Sequence, residues 1–113
     1  MMKGYDKQEA QAFIAKRIDR KYHKELADKI DELVGQIIDA DMQFMHSTGV
    51  LDADGNAGDS YYEDDDAFEY MVEAVVAMND LTPEQAVKVA ALVDDYLDLQ
   101  LNYLESKGLV ERE

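Results

Sequence analysis

The clearest helix signals in the chain lie in residues 81–109, LTPEQAVKVAALVDDYLDLQLNYLESKGL. Thr82 is a preferred residue for capping a helix N-terminus, and Pro83 suits the first helical position because its missing N–H needs no partner there. Gln85 can return a hydrogen bond to the backbone of the cap, which completes a capping box. These residues predict a helix that begins at Pro83.

The same stretch also contains a helix stop. Gly108 can adopt the left-handed backbone conformation that follows many helices, and Leu109 can then pack back on Leu104. Between the two ends, apolar residues recur every three or four positions, which is the spacing of a helix face. Start, period and stop therefore agree on one helix that runs to about Lys107.

The apolar arc of this helix is about 200° wide, roughly twice what a helix needs to cover one side of a core. One stripe comprises Ala86, Ala90, Val93, Leu97, Leu101 and Leu104, and a second comprises Leu92, Tyr96, Leu99 and Tyr103. Two neighbouring helices in one bundle would explain both stripes. The alternative is that the second stripe forms a homodimer seam, since tyrosine buries a large ring and keeps a polar tip.

The N-terminal half contains two further apolar runs. Asp6 and Glu9 have capping-box spacing at the start of the first helix, and the second run extends from Leu26 to Met45. At about 100° per residue, the two apolar faces would point about 160–180° apart on one straight helix. The chain is therefore expected to turn near residues 21–24. A single long helix whose basic end projects to a second subunit is the alternative.

Residues 49–65 form the main predicted loop, which is acidic and rich in glycine. Gly49 can end the second helix in the left-handed conformation, and the pair Asp54-Gly55 permits a small hairpin. The third helix should begin within residues 64–66, because acidic side chains complement the positive N-terminal end of a helix.

The predicted fold is all-α: a small antiparallel four-helix bundle over residues 1–113, one domain, with the acidic loop between the second and third helices.

The net charge is −15. Residues 1–29 contain eight basic against five acidic residues, and residues 30–113 contain three against twenty-one. The resulting negative electrostatic potential should repel nucleic acid and anionic membranes and attract basic partners. The alternative is that the charge only keeps the protein in solution. No apolar run is long enough to span a membrane and the N-terminus is polar, which favours the cytoplasm.

The loop partly resembles the calcium-binding loop of an EF-hand. Five residues fall at the oxygen-ligand positions 1, 3, 5, 9 and 12 of that loop: Asp52, Asp54, Asn56, Ser60 and Glu63. Two positions depart from the pattern. Ala57 stands where the sharp turn needs glycine, and Asp59 stands where an apolar residue usually ties the loop down. The loop is therefore either a weak calcium site or an acidic surface loop.

Two adjacent tyrosines meet a run of acids where the loop joins the third helix. The candidate partner-binding residues are Tyr61, Tyr62, Asp64, Asp65 and Asp66. Aromatic rings could anchor a basic protein there while the carboxylates steer it into place. The alternative is that both tyrosines fix the loop to the core.

No motif predicts catalysis. The chain lacks cysteine, a glycine-rich phosphate loop and a nucleophile elbow. His23 and His46 do not have the spacing of helical metal sites, so we expect surface or capping roles for them. Asp19 interrupts the basic stretch of residues 16–24, and Glu25 follows it directly. We expect it to pack against acidic surface or to be solvated, rather than to bind nucleic acid.

The sequence therefore favours a non-enzymatic protein-interaction domain, with self-association through the second stripe as one mode. An acidic antagonist of a basic protein is the first alternative, in which the acids mimic a nucleic acid or neutralise the target. A weak calcium-binding module is the second. No cofactor other than calcium is implied.

Overall fold

The computed structural model describes residues 2–110, which form four α-helices and one short 3-10 helix. The α-helices are α1 (Lys7–Arg17), α2 (Ile30–Thr48), α3 (Asp64–Asn79) and α4 (Pro83–Ser106), and the 3-10 helix spans Lys24–Lys29. Each α-helix packs on the next in sequence, and α1 also packs on α4, so the four helices enclose one apolar core. The predicted all-α four-helix bundle is confirmed.

Both ends of α4 follow the prediction. Thr82 Oγ1 accepts a hydrogen bond from the Gln85 backbone N–H at 3.2 Å, and Gln85 Oε1 accepts one from the Thr82 N–H at 3.0 Å. Gly108 has φ of +69°, and the Leu109 N–H donates to the Leu104 carbonyl at 2.9 Å. Local chemistry therefore sets the length of this helix.

The start of α1 keeps half of its predicted capping box. Asp6 Oδ1 accepts from the Glu9 N–H at 3.1 Å. The Glu9 carboxylate does not return to the cap, because it pairs with Lys107 Nζ at 2.8 Å and lies 3.3 Å from the Tyr103 hydroxyl. This side chain therefore ties α1 to the end of α4.

The chain turns between α1 and α2, as the phase of the apolar faces predicts. Ile18 ends α1 with an extended backbone, at ψ of 133°. Asp19 Oδ1 then accepts from the backbone N–H groups of Lys21 and Tyr22 at 3.0 and 3.3 Å. The alternative of a single long helix is wrong, because these groups form a turn instead.

The second stripe of α4 faces the core of its own bundle. Leu92 and Tyr96 are fully buried, Tyr103 is almost fully buried, and Leu99 is half-buried. A second copy of the chain cannot reach side chains that the first copy already covers. This burial corrects the seam assignment, because two neighbours within one bundle account for the wide apolar arc of α4.

Residues 49–63 connect α2 to α3 and fold back on themselves. Gly49 ends α2 with φ of +84°, and Leu51 pairs with Ala57 in an isolated antiparallel bridge, in keeping with the predicted hairpin. The loop closes tightly, since a Cβ added at Gly58 would lie 2.0 Å from the Gly49 carbonyl oxygen. Among residues 2–110, no helix is long and apolar enough to cross a membrane.

Candidate functional site

A buried carboxylate lies at the centre of the bundle. Asp41 of α2 is 2% exposed and accepts from the Tyr62 hydroxyl through Oδ1 and from the Tyr96 hydroxyl through Oδ2, both at 2.7 Å. Gln100 of α4 accepts from the Tyr5 hydroxyl at 2.8 Å. We call these five side chains the Asp41 network. It joins α2 and α4 to the loop and to the segment before α1.

Burial raises the pKa of the Asp41 carboxyl, because the charged form loses its hydration. Hydrogen bonds from Tyr96 and Tyr62 favour the charged form and oppose this rise, whereas the nearby carboxylate of Asp64 adds to it. Burial also raises the pKa of the Tyr62 and Tyr96 hydroxyls. Both hydroxyls therefore stay protonated at neutral pH and remain donors to Asp41.

Gln100 contains the one buried side-chain nitrogen or oxygen that lacks a hydrogen-bond partner within residues 2–110. The atom is Nε2, on a side chain that is 4% exposed. The Gln100 amide favours the charged form of Asp41 and so opposes, without cancelling, the rise that burial causes in the pKa of that carboxyl. A buried donor without a partner costs about 1–3 kcal/mol.

A cavity of about 490 Å³ opens beside the Asp41 network, and Asp41, Tyr62 and Gln100 contribute to its lining. We call this cavity the Leu101 groove. Its walls are mainly apolar, and include Met45, Leu51, Leu97, Leu101, Leu104 and Leu109. Asp64, Asp98 and Lys3 supply its remaining charged groups. The groove is therefore an apolar cleft with three carboxylates and one amine.

The predicted partner-binding residues take different positions. Tyr61 is 90% exposed. Tyr62 is half-buried and bound to Asp41, so it fixes the loop to the core. Asp64, Asp65 and Asp66 are exposed in the first turn of α3. The expectation of a structural role holds for Tyr62 and is wrong for Tyr61.

Tyr61 borders a shallow depression of about 360 Å³. The depression is lined by Phe44, Thr48, Asp59, Ser60, Tyr61, Glu63 and Asp66. None of its three acids takes part in the five ion pairs found within residues 2–110. We call Tyr61, Asp59, Glu63, Asp65 and Asp66 the Tyr61 surface. It combines an exposed ring with uncompensated negative charge.

The structure gives other roles to the predicted calcium ligands. Asp52 Oδ1 accepts from the backbone N–H groups of Asp54 and Asn56, both at 2.9 Å, and so organises the turn. Ser60 and Glu63 are exposed, and Glu63 is the N-cap residue of α3. Within the described part of the chain, no group of three or more His, Asp or Glu residues could hold a metal ion. Calcium binding stays a prediction that calorimetric titration can test.

A buried histidine was missed by the sequence reasoning. His23 is 4% exposed, and its Nε2 lies 2.6 Å from Asp95 Oδ2 of α4. Glu25, two residues after His23, forms a second ion pair with Lys88 of α4, with 3.7 Å between Oε1 and Nζ. The two pairs attach the connector between α1 and α2 to α4. The contact joins residues far apart in sequence, so no local pattern could have revealed it.

Comparison with models of protein families, with curated protein sequences and with solved structures found no match to this chain. We therefore infer function from the geometry of the Tyr61 surface and of the Leu101 groove.

Proposed function

We propose that this chain is a non-enzymatic protein-interaction domain that binds a basic protein through the Tyr61 surface. The observation that carries the proposal is the 90% exposure of Tyr61 beside acids that have no ion-pair partner among residues 2–110. An exposed tyrosine ring is a typical anchor of a protein interface, because it buries a large area at a small cost in side-chain entropy.

The charge distribution favours a basic partner. Residues 30–87 contain fifteen acidic residues and no lysine or arginine. Such a field attracts positive surfaces at long range and accelerates their association. A lysine or arginine side chain could place its apolar stem over Phe44 in the depression and its charged end among Asp59, Glu63 and Asp66. This is the chemistry expected of an acidic antagonist of a basic protein.

Self-association is the second candidate, now through different residues. Tyr22 is 70% exposed and lies between Lys21 and Lys24, which are also exposed. This basic end of the chain complements the Tyr61 surface of another copy in charge. A weak calcium-binding module remains the third candidate, and a cytoplasmic location remains the prediction of the sequence.

The test is a pull-down from native extract with the tagged chain at low and at high salt. Tyr61→Ser removes the anchor, and Tyr22→Ser is the matched control because it removes another exposed tyrosine from a basic neighbourhood. We expect wild type and Tyr22→Ser to retain a basic protein in near equal amount at low salt. High salt and Tyr61→Ser should each release it.

Equal recovery by wild type and Tyr61→Ser would contradict the proposal. If only the chain itself is recovered, and Tyr22→Ser abolishes that recovery, self-association is the better account. Mass in solution then measures the oligomer directly.

A further inference from the structure

The Leu101 groove shares no lining residue with the depression at Tyr61, so it is a separate feature. Its volume of about 490 Å³ falls within the range of small-molecule sites, which is roughly 300–1,000 Å³. Such sites are mostly apolar and contain a few polar groups that orient the ligand. In this groove Asp41 and Gln100 are both almost fully buried, so their free hydrogen-bonding capacity decides which head group fits.

Gln100 has a hydrogen-bond donor to spare. Its Oε1 accepts from the Tyr5 hydroxyl at 2.8 Å, whereas Nε2 has no partner. This amide nitrogen faces the Asp41 carboxylate, whose charged form it favours. A buried donor calls for an acceptor, because the hydrogen bond to water that it has lost must be replaced.

The Asp41 carboxylate, in turn, has acceptor capacity left. One of its oxygens accepts from Tyr62 and the other from Tyr96, and a carboxylate oxygen can accept two hydrogen bonds. A free donor and free acceptor sites are therefore neighbours among the polar groups of the groove. A hydroxyl satisfies both, because its oxygen accepts one hydrogen bond while its hydrogen donates another.

We propose that the Leu101 groove binds an uncharged alcohol with an apolar body. The hydroxyl oxygen accepts from Gln100 Nε2 and the hydroxyl hydrogen is donated to Asp41, while the body packs along the leucine-rich walls. An ammonium group has no lone pair for Nε2, and an ether has no hydrogen for Asp41. A carboxylate ligand would be repelled by Asp41 and by the net charge of −15.

The apolar body distinguishes this ligand from water. A water molecule can also accept from Gln100 and donate to Asp41, but it leaves the walls of Leu97, Leu101 and Leu104 wet. An alcohol reproduces the same hydrogen bonds and removes these apolar side chains from water, which stabilises the complex.

The experiment titrates the full chain with phenylbutanol, phenylbutyl methyl ether and phenylbutylamine at neutral pH, and follows backbone and side-chain amide shifts by NMR. The probes share one apolar body, and only the alcohol both accepts and donates. We expect saturable shifts with the alcohol, largest at the Gln100 side-chain amide, and about tenfold weaker binding of the ether and of the amine. Equal affinities, tighter binding of the amine, an absence of saturable shifts, or shifts centred on the Tyr61 surface would each overturn the proposal.

Gln100→Leu removes the donor and keeps a side chain of similar size. Tyr5→Phe is the matched control, because it removes the hydroxyl that bonds to the same amide and leaves Nε2 intact. We expect Gln100→Leu to weaken alcohol binding about tenfold, and Tyr5→Phe to change it by less than about twofold. Equal effects of the two variants would contradict a role for Nε2 in binding.

Leu101→Trp tests the walls without a change at the buried amide. The larger ring fills part of the groove, whereas Val87→Trp adds the same ring at an exposed position outside it. We expect Leu101→Trp to weaken alcohol binding at least about tenfold, and Val87→Trp to change it by less than about twofold. A Leu101→Trp variant that binds the alcohol as wild type does would overturn the proposal, even if Gln100→Leu does not fold.

Discussion

Asp41 is the residue on which the centre of the bundle depends. A buried carboxylate is costly unless hydrogen bonds replace its lost water. Tyr62 and Tyr96 supply two such bonds, one to each oxygen of the carboxylate and one each from the loop and from α4. The same pair of bonds therefore stabilises the charge and holds two elements against α2.

Tyr96→Phe removes one of these donors while it keeps the ring. We expect the free energy of unfolding to fall by about 1.5–3 kcal/mol, the usual value for a hydrogen bond to a charged group. Denaturation in urea measures this change. The control is Tyr22→Phe, whose ring is exposed, and which should change stability by less than about 0.5 kcal/mol. Equal effects of the two changes would show that Asp41 does not need the bond.

Asp41→Asn tests the ionisation of the buried carboxyl. Burial raises the pKa of Asp41 in the folded chain above its ordinary value of 3.8. The folded state therefore holds the proton more tightly than the unfolded state, and this group lowers the free energy of unfolding as pH rises from the unfolded pKa to the folded one. The asparagine variant lacks this titration. Its stability should fall less steeply across that window, and a slope identical to wild type would contradict the expected shift.

Single residues were predictable from sequence only where their environment is local. Tyr61 and Tyr62 are neighbours of the same type, yet one is exposed and the other is bound to Asp41 on another helix. The burial of Asp41 could have been predicted, because this residue lies three positions after Ile38 and four before Met45, on the apolar face of α2. Its tyrosine partners could not, since they lie 21 and 55 residues away.

At the scale of elements, helix ends were the most predictable feature. The capping box of α4 and the left-handed Gly108 involve residues within a few positions of each other, so the sequence contains all their partners. The segment before α2 was less predictable. The apolar run with helical spacing begins at Leu26, but residues 24–29 form a 3-10 helix and α2 begins only at Ile30. Within this 3-10 helix, the Ala27 carbonyl accepts a hydrogen bond from Arg20 Nη1 at 2.7 Å.

Thr82→Ala tests how much the capping box contributes. Removal of the hydroxyl leaves the Gln85 N–H without its hydrogen-bond acceptor. We therefore expect the free energy of unfolding to fall by about 1 kcal/mol. Urea denaturation measures the loss. Thr82→Ser keeps a hydroxyl at the same position and should restore most of it. An alanine variant as stable as wild type would mean that tertiary packing alone fixes the start of α4.

The whole molecule is dominated by negative charge, which acts in opposite directions on folding and on binding. Repulsion among the acids destabilises the compact state, and added salt screens it. We expect the free energy of unfolding to rise with moderate sodium chloride, while the affinity for a basic partner falls. Denaturation and partner binding, measured over the same series of salt concentrations, test the rise in stability and the fall in affinity. A free energy of unfolding that falls with salt would contradict this expectation.

The wide apolar arc of α4 shows what the sequence could not decide at this scale. Leu92, Tyr96 and Tyr103 had the spacing and chemistry of an interface, but the bundle covers them. Apolar surface inside one chain and between two chains has the same composition, so only the arrangement of the four helices separates the two cases. The candidate interface lies instead in the loop at Tyr61. The helical spacing of apolar residues gives no information about side-chain exposure in a loop.

Binding of a basic protein to the Tyr61 surface can be observed directly in the amide chemical shifts of the labelled chain, on addition of the partner that the pull-down recovers. We expect the largest shifts within residues 59–66, with little change in the basic segment of residues 16–24. Shifts centred on residues 16–24 or on the exposed face of α4, with residues 59–66 unchanged, would contradict it.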